Sequence, residues 1–237
     1  DVSHLQLKYL YCSHNDLEQL DVKNSKSLVA LNCSWNRLTE LDADVTHKPS
    51  LERVECQNNQ LTTLILGENK GLKKLNCAHN QLTQLNLKNM ISLKELRCQN
   101  NQLTALDNMS ALEELNCFDN QLTVLDVSDS PKLTKLWLGD NHLTSLNLDN
   151  NLNLNFTYTD IYSGENVYTV TLNPDRTFDL RNLPGNFDVN RVTGWEHGKA
   201  NGYILTVDEG TNVVYYAYKC RSDIMEASFK LVVTGTG

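Results

Sequence analysis

The 237-residue sequence predicts a solenoid of parallel β-rungs over residues 1–150, a junction over 151–163, and a small all-β sandwich over 164–237. Three observations carry this. Six of the seven cysteines recur at Cys12, Cys33, Cys56, Cys77, Cys98 and Cys117, in steps of 21, 23, 21, 21 and 19 residues. Around each of them, leucines alternate with polar residues in the period of two expected of a strand with one buried face. After Leu148 the period is lost, and short alternating segments punctuated by turn residues replace it.

Each repeat reads the same way from its cysteine. A Leu or Val stands two residues before it (Leu10, Leu31, Val54, Leu75, Leu96, Leu115) and a Leu five before (Leu7, Leu28, Leu51, Leu72, Leu93, Leu112). Asn follows at +3 and Leu at +5, giving Asn15, Asn36, Asn59, Asn80, Asn101 and Asn120. A seventh copy runs from Leu133 through Leu136 to Asn141 and Leu143, with Leu138 where the others have Cys. One repeat cannot bury its own leucines, so the copies must stack into a continuous core stabilised by nearest neighbours. The asparagine marks where the chain leaves the strand, and its amide can satisfy backbone groups of its own and the adjacent turn. The Leu-Asp-Val segments (Leu20–Val22, Leu125–Val127, with Leu146–Leu148 equivalent) are too short for helices and predict brief extended stretches on the convex side, hence a shallow arc.

The string Leu-x-x-Leu-x-Leu/Cys-x-x-Asn-x-Leu is the leucine-rich repeat signature, so the first 150 residues are expected to form a leucine-rich repeat solenoid with few or no helices. Its 21-residue period and in-strand cysteines resemble those of bacterial internalin-like surface proteins, specifically the cysteine-ladder internalins, over residues 1 to about 155. The resemblance implies non-enzymatic recognition or adhesion, a bacterial cell-surface or secreted location, and an immunoglobulin-like module after the repeats. Asp1-Val2-Ser3 matches Asp126-Val127-Ser128, so the chain is expected to begin within a repeat, and the linker-like Gly-Thr-Gly that ends at Gly237 is expected to lead on to further domains.

The cysteine column invites a chemical reading. Parallel neighbours stand about 4.8 Å apart with their Cβ vectors aligned, whereas a disulfide wants Cβ atoms about 3.8 Å apart and a torsion near 90°. Tetrahedral zinc needs ligands that converge from several directions, and no His keeps step with the column. Six free, buried core thiols are therefore expected, with no metal and no cofactor. Cys220 has no partner within the column.

The outward positions of the strands hold the ligand-binding candidates. Three before each Cys stand Tyr9, Ala30, Arg53, Lys74, Glu95, Glu114 and Lys135; one before it stand Tyr11, Asn32, Glu55, Asn76, Arg97, Asn116 and Trp137. Phe118 belongs to the column after Cys, and Trp35 to the one beyond. Aromatics on a rigid sheet are hot-spot candidates. Those at the ends (Tyr9, Tyr11, Trp35; Phe118, Trp137) are equally readable as caps. Between them the charges are expected to pair laterally, Arg53 with Glu55, Lys74 with Glu95, and Arg97 with Glu114.

Extrapolating the repeat by 21 residues from Leu136, Leu138 and Asn141 gives Thr157, Thr159 and Tyr162, so Leu152, Leu154, Phe156 and Tyr158 are expected to cap the last leucine layer. Beyond Gly164, strands are predicted at Tyr168–Leu172, Thr177–Leu180, Tyr203–Val207, Val213–Tyr218 and Ala227–Thr234, about six in all, as a compact sandwich. Trp195 is either a core plug or a loop contact.

With 21 Lys+Arg against 29 Asp+Glu the net charge is −8, which disfavours nucleic acid. No apolar run approaches the roughly 20 residues of a membrane span. No catalytic motif occurs and a broad sheet offers no water-excluding pocket, so no enzyme is expected. The expected partner is a protein, such as a host receptor or matrix protein, bound by a monomer through the concave sheet. The alternatives are a structural stalk projecting other domains, or glycan binding through the sandwich.

Overall fold

A computed structural model describes residues 2–44, 50–155, 159–161, 164–222 and 225–235. Nine short strands come first: β1 (Tyr9–Tyr11), β2 (Ala30–Asn32), β3 (Glu40–Asp42), β4 (Arg53–Glu55), β5 (Thr63–Ile65), β6 (Lys74–Asn76), β7 (Glu95–Arg97), β8 (Glu114–Asn116) and β9 (Lys135–Trp137). They are followed by β10 (Thr159–Asp160), β11 (Asn166–Thr171), β12 (Thr177–Asp179), β13 (Val192–Glu196), β14 (Gly198–Asn201), β15 (Ile204–Val207), β16 (Val213–Lys219) and β17 (Glu226–Thr234). Among the described residues the only helices are two single 3-10 turns, Leu180–Asn182 and Val189–Arg191.

The first sheet runs β1-β2-β4-β6-β7-β8-β9-β10, all parallel, with equivalent repeat positions paired as in Leu31↔Val54 and Leu75↔Leu96. Behind it the leucine columns and Cys33, Cys56, Cys77, Cys98 and Cys117 form one core, buried except in the first rung, where Leu7, Leu10, Leu17 and Leu20 are partly buried, and at Leu64 and Leu85. On the convex side β3 and β5 pair in parallel, while Leu20–Val22, Leu125–Val127 and Leu146–Leu148 carry no strand pairing. Side chains at the head of these turns fold the chain back locally, as where Asp126 Oδ1 accepts the Ser128 N–H.

The asparagines knit consecutive rungs. Asn80 Nδ2 donates to the carbonyls of Cys77 and, one rung earlier, Cys56, at 3.0 and 3.1 Å, and its Oδ1 accepts the Leu61 N–H at 2.9 Å. Asn36, Asn59, Asn101, Asn120 and Asn141 repeat this pattern. Each buried amide thus satisfies turn groups of two repeats that would otherwise be orphaned. Asn15, in the first rung, is exposed, and among the described residues its side chain bonds only within its own turn, to the carbonyls of Cys12 and Ser13.

Three expectations are corrected. The sheet continues past the last leucine repeat, because Thr159 pairs with Leu136 and Asp160 with Trp137; strand pairing needs backbone groups, not a leucine. Leu154 is buried beneath the last layer, but Leu152 is 75% exposed and caps nothing. Cys12 is only half-buried, since β1 forms the sheet edge and no rung covers it on that side. Asp1, Phe156–Tyr158, Tyr162 and the final two residues, on which other expectations rested, lie outside the described residues.

The C-terminal part is all β. One sheet has the order β11-β17-β16-β13, with β11 parallel to β17 and the other pairs antiparallel; the second is antiparallel, β12-β15-β14. Seven strands are present where about six were expected: β13, which carries Trp195, and β14 add to the five segments marked by the sequence, and the two lie in different sheets. Alternation along β15, β16 and β17 buries Leu205, Val207, Val214, Tyr216, Tyr218, Phe229 and Leu231. Trp195 is half-buried and packs on Tyr216 at 5.1 Å between ring centroids.

The last repeat runs straight into this part. Val167 N–H donates to Asn141 O at 3.1 Å, Leu148 N–H to Cys220 O at 2.8 Å, and the buried Tyr216 hydroxyl to Thr144 O at 2.6 Å. Asp149 pairs with Arg191 and accepts the Ser222 N–H. Gly164, at φ +75°, is required where the chain turns in, because a Cβ there would collide with the Asp140 side chain.

Candidate recognition surface

Parallel rungs place every third-before-Cys and first-before-Cys side chain on the concave face, in two straight columns. At one end Tyr9 and Tyr11 are exposed, with parallel rings 6.5 Å apart, and Lys8 stands over the Tyr9 ring. Tyr11 is 67% and Trp35 52% exposed. At the other end Phe118 and Trp137 are half-buried.

Trp35 occupies a special backbone position. The residue before each ladder asparagine lies in the left-handed region: His14, Trp35, Asn58, His79, Asn100, Asp119 and Asp140 all have φ between 51° and 56°. Asn, Asp and His tolerate this conformation, whereas a bulky side chain is disfavoured there. The Trp35 indole is nonetheless held outward, stacked on His14 at 5.4 Å and 10°.

Between the aromatic ends the charges neutralise one another. Arg53 pairs with Glu55, Lys74 with Glu95 at 2.9 Å, Arg97 with Glu95 at 2.9 Å and Lys135 with Glu114 at 2.5 Å. The expected Arg97–Glu114 pair is therefore replaced. Arg97 and Glu95 share one face of the same strand, while Glu114 lies diagonally from Arg97 and directly beside Lys135. Burial alone would raise the Glu95 carboxyl, but the Lys74 hydrogen bond and the nearby Arg97, Lys74 and Arg53 charges hold it below the ordinary glutamate value. Around these residues and Asn76 lies a shallow hollow of about 250 Å³.

The thiols face the other way. Burial pushes Cys33, Cys77 and Cys117 up to about 12, and Cys56 and Cys98 well above the ordinary thiol value. All seven cysteines are free, and no group of His, Cys, Asp or Glu among the described residues is arranged to hold a metal ion. A crevice of about 520 Å³ lies at the junction, and its cation Arg191 is tied to Asp149.

Sequence reasoning named the outward columns but missed the left-handed backbone of the turn column and two orphaned acceptors in the column after Cys, Gln57 Oε1 and Gln99 Oε1, which are buried with no hydrogen-bond partner among the described residues. The Asn/Asp/His bias before each ladder asparagine was the available signal for the turns.

The architecture is that of a leucine-rich repeat protein. Solved structures of this fold include a leucine-rich repeat protein of Leptospira interrogans (TM-score 0.52, 23% identity, covering 70% of this chain and 48% of that one). Another is YopM, a leucine-rich effector protein from Yersinia pestis (TM-score 0.51, 24% identity, 72% and 59%). The functional domain of InlJ from Listeria monocytogenes, which includes a cysteine ladder, aligns over 99% of this chain and 69% of its own at 22% identity and TM-score 0.45. The chain thus spans about half to three fifths of the length of the first two. No protein-family model and no curated protein matches the sequence.

Proposed function

We propose that this chain is a non-enzymatic recognition module of a bacterial surface or secreted protein, and that it binds a protein ligand through the concave sheet. The observation that carries the reading is the placement of large exposed aromatics, Tyr9 and Tyr11 on the rigid sheet and Trp35 in the turn that follows β2, beside a face whose charges are already paired. Rigid aromatics bury much area at little entropic cost, which is how a few residues dominate binding. Trp35 adds to this: a tryptophan held in a disfavoured backbone region is a reason to look for function at that residue.

The C-terminal part is read as an immunoglobulin-like module that ends the array and spaces it from other parts. Its strand order supports this, since the first strand is parallel to the last in one sheet and the second, fifth and fourth make the other. None of the described helices is long and apolar enough to cross a membrane.

The test is partner capture by the immobilised chain. Tyr11→Ala, Trp35→Ala and Trp137→Ala should each lose the partner while melting as the wild type does, and Ile91→Ala, on the convex side, should retain it. Capture independent of every concave substitution would favour the stalk reading, and capture by residues 164–237 alone would favour the sandwich.

A further inference from the structure

Over the seven leucine repeats the column one residue before each cysteine position reads Tyr11, Asn32, Glu55, Asn76, Arg97, Asn116, Trp137, with asparagine on every second rung and an aromatic on the first and on the seventh of the eight rungs. The three amides are pre-set. Asn32 Oδ1 accepts the Ser34 N–H at 3.1 Å, Asn76 Oδ1 the Ala78 N–H at 3.2 Å and Asn116 Oδ1 the Phe118 N–H at 3.2 Å. With its oxygen fixed to the following turn, each Nδ2 is left to donate elsewhere. Asn32 Nδ2 donates to Glu55 at 2.8 Å; those of Asn76 and Asn116 donate to no group among the described residues.

Two rungs of a parallel sheet span about 9.6 Å, twice the spacing of about 4.8 Å. A polyproline II chain rises about 3.1 Å per residue with three residues per turn, so it presents equivalent carbonyls every 9.3 Å or so along one side. The two periods match closely. The stretch from Tyr11 to Trp137, six rung spacings or about 29 Å, fits a polyproline II segment of about nine residues. Polyproline II backbones are fully solvated, rich in unpaired carbonyls, and recognised by aromatic side chains with amide or hydroxyl donors between them. Charge also points to an uncharged ligand: Arg53, Lys74, Arg97 and Lys135 are all paired, as are Glu55, Glu95 and Glu114.

We infer that the partner segment is an uncharged, proline-rich peptide in the polyproline II conformation, lying along the solenoid axis with every third carbonyl on the Asn76 and Asn116 amides and its ends on Tyr11 and Trp137. This rests on the concave-face reading above and narrows it to one ligand class.

The probe is a fluorescein-labelled peptide of nine prolines, titrated with the full chain and followed by fluorescence anisotropy. Saturable binding in the micromolar to millimolar range, insensitive to salt, is expected. The double variant Asn76→Asp/Asn116→Asp keeps an oxygen that can hold the turn and replaces the outward donor by a charged acceptor, so it should fold as the wild type and weaken binding of the uncharged peptide tenfold or more. Trp137→Ala should do the same. Absence of saturable binding, or binding indifferent to the Asn→Asp pair, overturns the inference. So does binding of an extended β-linked glucan hexamer in place of the peptide. If a protein partner is lost on Tyr11→Ala or Trp35→Ala but unaffected by Asn76→Asp/Asn116→Asp, this inference fails and the concave-face reading stands; if no concave substitution affects any partner, both fail.

Discussion

Asn166 accepts the backbone N–H of Leu143 through its side-chain oxygen at 3.2 Å, the bond that Asn141 makes to Leu122 one rung earlier at 3.0 Å. The first residue of β11 therefore takes over the acceptor half of the next position of the asparagine ladder, and this bond ties the last repeat to the C-terminal part. Asn166→Ala should cost about 1–3 kcal/mol, because the buried Leu143 amide loses its acceptor. Urea unfolding checks the size. A second, separately melting transition in the variant would show that this bond helps couple the two parts.

Within the array, Leu82→Ala should destabilise by about 2–5 kcal/mol through loss of buried contacts and cavity formation. Asn80→Ala should cost about 1–3 kcal/mol, since the Leu61 amide and the Cys56 and Cys77 carbonyls lose a shared partner. Thermal or chemical melting of both variants tests the rung register.

The thiols separate by rung. In the native protein Cys12, at the sheet edge, should react first with a thiol reagent, and Cys33, Cys56, Cys77, Cys98 and Cys117 only after unfolding. With Cys33, Cys77 and Cys117 pushed up to about 12 and Cys56 and Cys98 well above the ordinary thiol value, these buried thiols stay protonated through pH 9, so raising the pH to that point should not make them react. Cys77→Ser should destabilise more than Cys77→Ala or Cys77→Val, because it buries a hydroxyl where Leu138 stands at the equivalent site of the last repeat.

Glu95 sets an acid-side expectation. Its carboxyl is held lower in the folded chain than in the unfolded one, so its contribution is present above the unfolded value and is lost as the pH falls through the folded value. Between about pH 5 and 3 the wild type should therefore lose more stability than Glu95→Gln does. The difference should stay below about 1 kcal/mol, because the Lys74 and Arg97 partners are half-exposed. Melting temperature against pH for the two proteins measures it.

The rungs were legible because seven copies put Leu, Cys and Asn in one register, and a strand with one buried face admits only one such pattern. What escaped were the places held by backbone alone. Thr159 joins the sheet without a leucine, and β13-β14, with Gly194, Gly198 and Asn201, shows no apolar alternation despite carrying Trp195. Outward positions on the concave face followed from strand alternation, but not the ion partners. Arg97 chooses between a carboxylate on its own strand and one on a diagonal rung, a choice set by side-chain reach rather than by sequence spacing. Trp35 was read as exposed, while its left-handed backbone needed coordinates.

The claim that the concave sheet is the recognition face is tested most directly by photo-crosslinking. A photoreactive amino acid placed at Tyr11, Trp35 or Trp137 should form a covalent adduct with the protein partner, while the same group at convex Ile91 or at exposed Leu152 should not. Adducts from Ile91 or Leu152 with none from the three concave positions would contradict the account.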